Sequence, residues 1–162
     1  YVILRYFNVA GADPNGRAGQ LSEPATHLIK VAVEVAVGKR ASMQVYGTDY
    51  ATPDGTCIRD YIHVSDLIGA HMAALEHLQV GGKSMVANCG YGHGASVRDV
   101  LDVVAAVAGK KLAITDAPRR AGDAAILVAD STKLQSALGW TPQYDDLHKI
   151  VSDALAWERA NS

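Results

Sequence analysis

The chain has 162 residues and a net charge of −2, with 49% of its residues apolar and 20% charged. That is the length of about one domain and the composition of an ordinary soluble globular protein. A balance this close to neutral excludes bulk electrostatic attraction to nucleic acid or to an anionic membrane, so a bound anion must be held by local arginines. The longest apolar runs fall far short of the roughly 20 residues that span a bilayer. Cys57 and Cys89 stand far apart, outside any metal-like spacing, and read as reduced thiols of a cytoplasmic protein, with a disulfide between them the alternative.

Residues 2–7 are mostly apolar with little alternation, as in a strand covered on both faces. No initiator Met, phosphate loop or earlier strand precedes them, so the expectation is a chain that opens inside a fold, with the strand's edges unpaired. Asn8–Leu21 is rich in Gly, Asp, Asn and Pro and reads as loop. A helix is predicted from about Pro24 to Val37, with Ser22 or Glu23 before it and Gly38 closing it. Met43–Tyr46 reads as a short strand, residues 47–56 as a turn-rich loop, and Ile58–His63 as extended. Ser65 or Asp66 is expected to cap a helix to about Leu78, with Leu67, Ile68, His71, Met72, Leu75 and Leu78 on its inner face. Ser84–Cys89 is a predicted strand. Val97–Ala108 is a predicted helix with Val97, Val100, Leu101, Val104 and Ala108 inward, and Ser96 and Asp99 resemble a capping box with Asp in place of the usual Glu. Leu112–Asp116 reads as a strand, and Ser131–Leu138 and Asp146–Arg159 as helices. Strands alternating with helices, without repeats or linkers, define an α/β chain whose small sheet is parallel or mixed.

Three groups of residues are candidates for chemistry. Gly90-Tyr-Gly-His-Gly-Ala95 follows a strand and opens a helix, and fits the loose pattern G-x-G-x-x-A of dinucleotide sites. Such a loop can hold phosphate on free N–H groups. A tight strand-to-helix turn needing permissive backbone angles explains it more simply. Arg59, Arg119 and Arg120 offer planar donor forks suited to phosphate oxygens. From spacing alone a diphosphate clamp and a pair of salt bridges (Arg59 to Asp60 or Asp66, Arg120 to Asp123) fit equally well. Tyr46, Tyr50 and Tyr61 flank loops, where a tyrosine stacks on a base, binds a sugar hydroxyl or simply packs the core. The six histidines carry no metal signature.

The segments Leu4-Arg-Tyr-Phe-Asn-Val-Ala-Gly-Ala12, Thr52-Pro-Asp-Gly-Thr-Cys-Ile-Arg-Asp-Tyr-Ile-His-Val-Ser-Asp-Leu67, Ala117-Pro-Arg-Arg-Ala-Gly-Asp123 and Gly139-Trp-Thr-Pro142 are similar to those of the UDP-glucose 4-epimerases, of the extended short-chain dehydrogenase/reductase superfamily. The resemblance covers essentially the whole chain and corresponds to the C-terminal half of that family. It implies the C-terminal part of an NAD(P)-binding Rossmann-type fold with its smaller α/β substrate-binding domain. Residues 1–12 would be the last-strand region of the Rossmann domain and residues from about 13 to 162 mainly the substrate domain, with the N-terminal NAD-binding part absent.

The implied reaction interconverts UDP-glucose and UDP-galactose through a 4-keto sugar, with NAD as the hydride carrier. The resemblance places Phe7 against the nicotinamide end of NAD and Asn8 on the sugar diphosphate. It places His27 and Leu28 at the segment covering UDP, and Gln44, Val45 and Tyr46 around the uracil. Arg59 and Arg120 would neutralise the diphosphate, Asp123 would hold the ribose, and Leu127 would stand beside the hexose. His27 replaces an Asn of many relatives. Leu127 is intermediate between the bulky and small residues found there, which bears on N-acetylated sugars. No tyrosine has Lys four residues on, so the family's Tyr-x-x-x-Lys pair is not in this sequence. The chain by itself is therefore expected to bind UDP-sugar without turnover. Sister activities on pentose or N-acetylhexosamine UDP-sugars, or a non-catalytic UDP-sugar-binding piece, are the alternatives. The implied setting is a cytoplasmic homodimer of the full-length protein, with dimer helices before residue 1 and no nucleic-acid or membrane partner.

Overall fold

The computed structural model describes residues 1–162. Its elements in chain order are β1 (Val2–Arg5), β2 (Asn8–Ala10), α1 (Leu28–Val37), β3 (Met43–Tyr46), β4 (Ile58–Arg59), β5 (Tyr61–His63) and α2 (Val64–Gln79). They continue with β6 (Met85–Asn88), β7 (Ala95–Ser96), α3 (Val97–Ala108), β8 (Ile114–Ala117), β9 (Ile126–Leu127), α4 (Thr132–Leu138) and α5 (Leu147–Ala160).

Helices α1, α3 and α5 pack on one another and enclose the larger core with Met43, Val45 and Tyr61. α1 is apolar on nearly every side, so most of it is buried. It ends where Gly38 takes a left-handed conformation and returns its N–H to the carbonyls of Glu34 and Val35. α3 opens on the expected Ser96–Asp99 capping box and turns Val100, Leu101 and Val104 inward. Asp146 caps α5 by accepting from His148 N–H. An ion cluster joins two of these helices: Glu158 of α5 is buried against Lys30 of α1, and Lys39 Nζ lies 2.7 Å from its Oε1.

The strands form separate short ladders. β1 runs parallel to β6, β2 to β5 and β3 to β8, while β4 lies between antiparallel β7 and parallel β9. α2 and α4 lie against the β1–β6 layer over a second core of Ile62, Leu67, Ala70, Ala87, Cys89, Leu134 and Trp140. Cys57 and Cys89 are free and buried.

Several boundaries differ from those read in the sequence. The first strand stops at Arg5 and a second begins at Asn8, inside the segment expected to be loop, because the chain changes ladder there. One edge of β1 is paired, with β6. α1 begins at Leu28, with residues 24–27 lying before it. α2 is capped by His63, whose ring accepts from Ser65 N–H. Its buried residues are Asp66, Leu67, Ala70 and Ala74, whereas Ile68, Met72 and Leu75 are exposed. Two-residue strands such as β7 and β9 carry no readable periodicity.

Candidate functional site

The parallel register of β3 and β8 sets Tyr46 opposite Ala117, so the Arg-rich segment that follows β8 leaves beside the end of β3. Met43 N–H and Gly47 N–H donate to the carbonyls of Ala113 and Ala117. In the alternation of a parallel ladder, Gln44 and Tyr46 therefore turn their backbone N–H and C=O groups to the other, open edge. That edge borders a cavity of about 720 Å3.

Asn8, His27 and Leu28 line the cavity from the β2 end and the start of α1, and Gln44, Val45 and Tyr46 line it from β3. Arg59 of β4 and Arg120 and Asp123 of the loop after β8 complete it. Two expected residues lie outside the lining. Phe7 is 38% exposed, one residue from Asn8, and Leu127 is 38% exposed, paired in register with Arg59. Val45 has its side chain in the core, so it can face the cavity only with its backbone.

The charges are arranged differently from either salt-bridge pattern considered. Arg59 Nη2 donates to Asp123 Oδ1 at 3.0 Å and Nη1 to Ile58 O at 2.8 Å. Asp123 is thus the partner of Arg59, while Arg120 sits over the Tyr46 ring with its Cζ 3.9 Å from the centroid. Asp66 instead accepts from Tyr91 Oη, Gln143 N–H and Tyr144 N–H. Asn8 Nδ2 donates to Asp60 O at 3.2 Å, which fixes the carboxamide at the cavity edge. Gln20 Nε2 lies 3.0 Å from His27 Nδ1, so Nδ1 is the accepting nitrogen of that ring.

The other candidates resolve by contact. Tyr50 is buried under Arg119 (4.1 Å to its centroid), and Arg119 grips Asp49, away from the cavity. Tyr61 packs in the larger core and also borders the cavity, and burial pushes its phenol pKa up. Cys57 and Arg40 line the cavity too, and burial raises the Cys57 thiol. Cys57, Arg59 and Tyr61 are spaced by two along an extended stretch, which puts them on one side. That spacing was the available signal for Cys57. The Gly90 loop is not free to hold phosphate: Tyr91 N–H and Gly92 N–H both donate to the Asp60 carboxylate, at 3.1 Å.

A second cavity of about 720 Å3 lies beside Val9, Ala10, Val64 and Ile68. Its one arginine, Arg17, is held by Asp13, whose carboxyl stays well below its usual pKa through that hydrogen bond. The β3–β8 cavity is therefore the one that joins arginine donors to an open strand edge.

Parallel strand pairs with helices packed against them, together with the solved structures that superpose on them, define a Rossmann-like α/β chain of the short-chain dehydrogenase/reductase type. The pattern of the NAD dependent epimerase/dehydratase family matches residues 1–90, and the chain belongs to that family. It is 57% identical over 159 residues to the UDP-glucose 4-epimerase of Azospirillum brasilense, covering 98% of this chain and 46% of that protein. A solved UDP-glucose 4-epimerase superposes with a TM-score of 0.96 at 49% identity, covering 99% of this chain and 49% of the other. The Bifidobacterium longum UDP-glucose 4-epimerase, solved in complex with NAD+ and UDP, gives a TM-score of 0.90 at 40% identity over 99% of this chain and 48% of its own. The chain thus spans about half the length of the relatives it matches.

Proposed function

We propose that this chain is the UDP-sugar-binding part of a UDP-glucose 4-epimerase, which interconverts UDP-glucose and UDP-galactose. The single observation that carries the proposal is the joining of Arg59, Arg120 and the open backbone edge of β3 in one cavity. Uracil presents alternating donors and acceptors along one edge. The exposed N–H and C=O groups of Gln44 and Tyr46 match such an edge, and the arginine forks match the diphosphate. Asn8 presents its carboxamide to the sugar end, Asp123 lies within reach of the ribose, and His27 and Leu28 close the cavity from α1. Anchoring UDP keeps the reactive sugar in place while it turns over. Leu127, beside Arg59 at the rim, is our candidate for the residue that grades the size of the hexose.

Residues 1–12 fit the last-strand region of the cofactor domain, and residues 13–162 mainly the substrate domain. NAD fits this chain at one point only, the half-exposed Phe7 ring next to Asn8, where a flat heteroaromatic ring can pack. NAD supplies a reversible hydride acceptor when bound. The chain's own residues bind and orient the sugar nucleotide, and the Tyr-x-x-x-Lys pair must come from sequence outside this chain. A cytoplasmic homodimer is the corresponding assembly. No helix here is long and apolar enough to cross a membrane.

Calorimetric titration of the purified chain with UDP tests this. We expect UDP to bind, and Arg120→Ala to weaken it by about 1.5–3 kcal/mol, the range for a charge-assisted contact. A chain that is folded by circular dichroism but indifferent to UDP would overturn the assignment.

A further inference from the structure

The family resemblance casts Tyr46 as an aromatic wall for the uracil. The structure puts something else on that ring. The Arg120 guanidinium lies over it at 3.9 Å from the centroid, and the phenol is tethered by donating to Gln44 Oε1 at 2.8 Å. Both restraints come from the backbone. Gln44 and Tyr46 are two apart on β3 and so share a face, opposite the buried side chains of Met43 and Val45. The β3–β8 register delivers the segment bearing Arg120 to that face.

Resting on the UDP-site reading above, we propose that Tyr46 is a positioning residue for Arg120: its ring is the platform that holds the guanidinium for the diphosphate, not a stacking partner for the base. A guanidinium held over a ring by the attraction of its charge for the ring face spends none of its five N–H donors on that contact. Arg120 otherwise sits on an exposed loop segment with no carboxylate partner, since Asp123 is taken by Arg59. Without the ring, Arg120 would have to be ordered by the ligand alone. The Gln44 tether stops the ring from turning away.

A double-mutant cycle read with two ligands tests this. Tyr46→Leu should weaken UDP binding about 3-fold, the size of an exposed cation–π contact, and leave uridine binding unchanged. In an Arg120→Ala background, Tyr46→Leu should have no further effect on UDP, because the residue it acts through is gone. Tyr46→Phe keeps the ring but gives up the Gln44 tether, so it should bind UDP more tightly than Tyr46→Leu and no more tightly than wild type, which separates the platform from the tether and controls for the fold of the strand. If Tyr46→Leu weakens uridine and UDP alike, or its effect persists in the Arg120→Ala background, the ring serves the base and the inference is wrong. If the wild-type chain binds no UDP, the functional reading fails and this inference fails with it.

Discussion

Asp60 is 2% exposed, and its carboxylate is held by three backbone N–H groups, those of Tyr91, Gly92 and Ala129. It therefore knots three segments together: the β4–β5 junction, the Gly90 loop and the chain after β9. Its neighbours Arg59 and Tyr61 both border the cavity, and its carbonyl holds Asn8. The knot explains Gly90, where a Cβ would come within 2.6 Å of both Asp60 Oδ2 and Ala129 Cβ. Asp60→Asn would aim an amide N–H2 at donors it cannot satisfy. We expect a loss of about 1–3 kcal/mol in urea denaturation, the cost of leaving buried polar groups unpaired. Gly90→Ala should cost a similar 1–3 kcal/mol through overpacking. A midpoint within error of wild type for either variant would refute the knot. The sequence made Arg59 and Arg120 visible as forks for an anion, but not their partners. The Gly90 loop matched a phosphate motif because the same small residues serve any carboxylate that approaches a backbone turn, and Asp60 is remote from it in sequence.

Helix α2 begins on an uncommon cap. His63 is fully buried, its Nδ1 accepts from Ser65 N–H at 3.0 Å, its Nε2 faces Asp153 Oδ2 at 3.2 Å, and its ring stacks on Tyr144 at 4.6 Å. With Nδ1 accepting, the neutral ring carries its proton on Nε2. Burial lowers the His63 pKa from its ordinary 6.5, and the opposing pull of Asp153 and Asp66 does not restore it. The unfolded chain then binds more protons than the native one below pH about 6.5, so stability falls as pH drops from there through the lowered folded pKa. Protonation also ends the cap, because Nδ1–H can no longer accept. His63→Asn keeps a capping oxygen but removes the titration. The variant should lose stability at pH 7 yet show a flatter fall in Tm between pH 7 and pH 5; parallel profiles for the two proteins would refute the assignment. The reading of α2 from sequence found the helix and turned Leu67 inward, as it is, but missed the cap and put the exposed Ile68, Met72 and Leu75 on the inner face. A helix with Leu, Ile, Met and Ala on several sides has two apolar stripes, and periodicity alone does not say which one is covered. Here the small side, Ala70 and Ala74, is the one that can approach the strands closely.

At the scale of the molecule, the uncovered stripe of α2 is the most informative surface. Ile68, Met72 and Leu75 are 56%, 50% and 47% exposed, and Ile68 also borders the second cavity of about 720 Å3. Tyr6 lies edge-on to His71 beside them. Aligned apolar side chains next to an apolar hollow are unusual on a free surface and mark a place where something packs. The relatives that the chain matches are about twice its length. None of this was legible in the sequence, where the same residues read as core. The β1–β6 pairing, which joins Val2–Arg5 to Met85–Asn88, was equally hidden, because ladder partners so far apart leave no local pattern. If the stripe is uncovered in this chain, Met72→Lys with Leu75→Lys should leave its stability within about 0.5 kcal/mol per substitution, as for surface positions. The same pair should cut binding of a hydrophobic dye and reduce self-association in sedimentation. A loss of several kcal/mol would instead show these side chains packed within the chain, and an unchanged dye signal would place the sticky surface elsewhere.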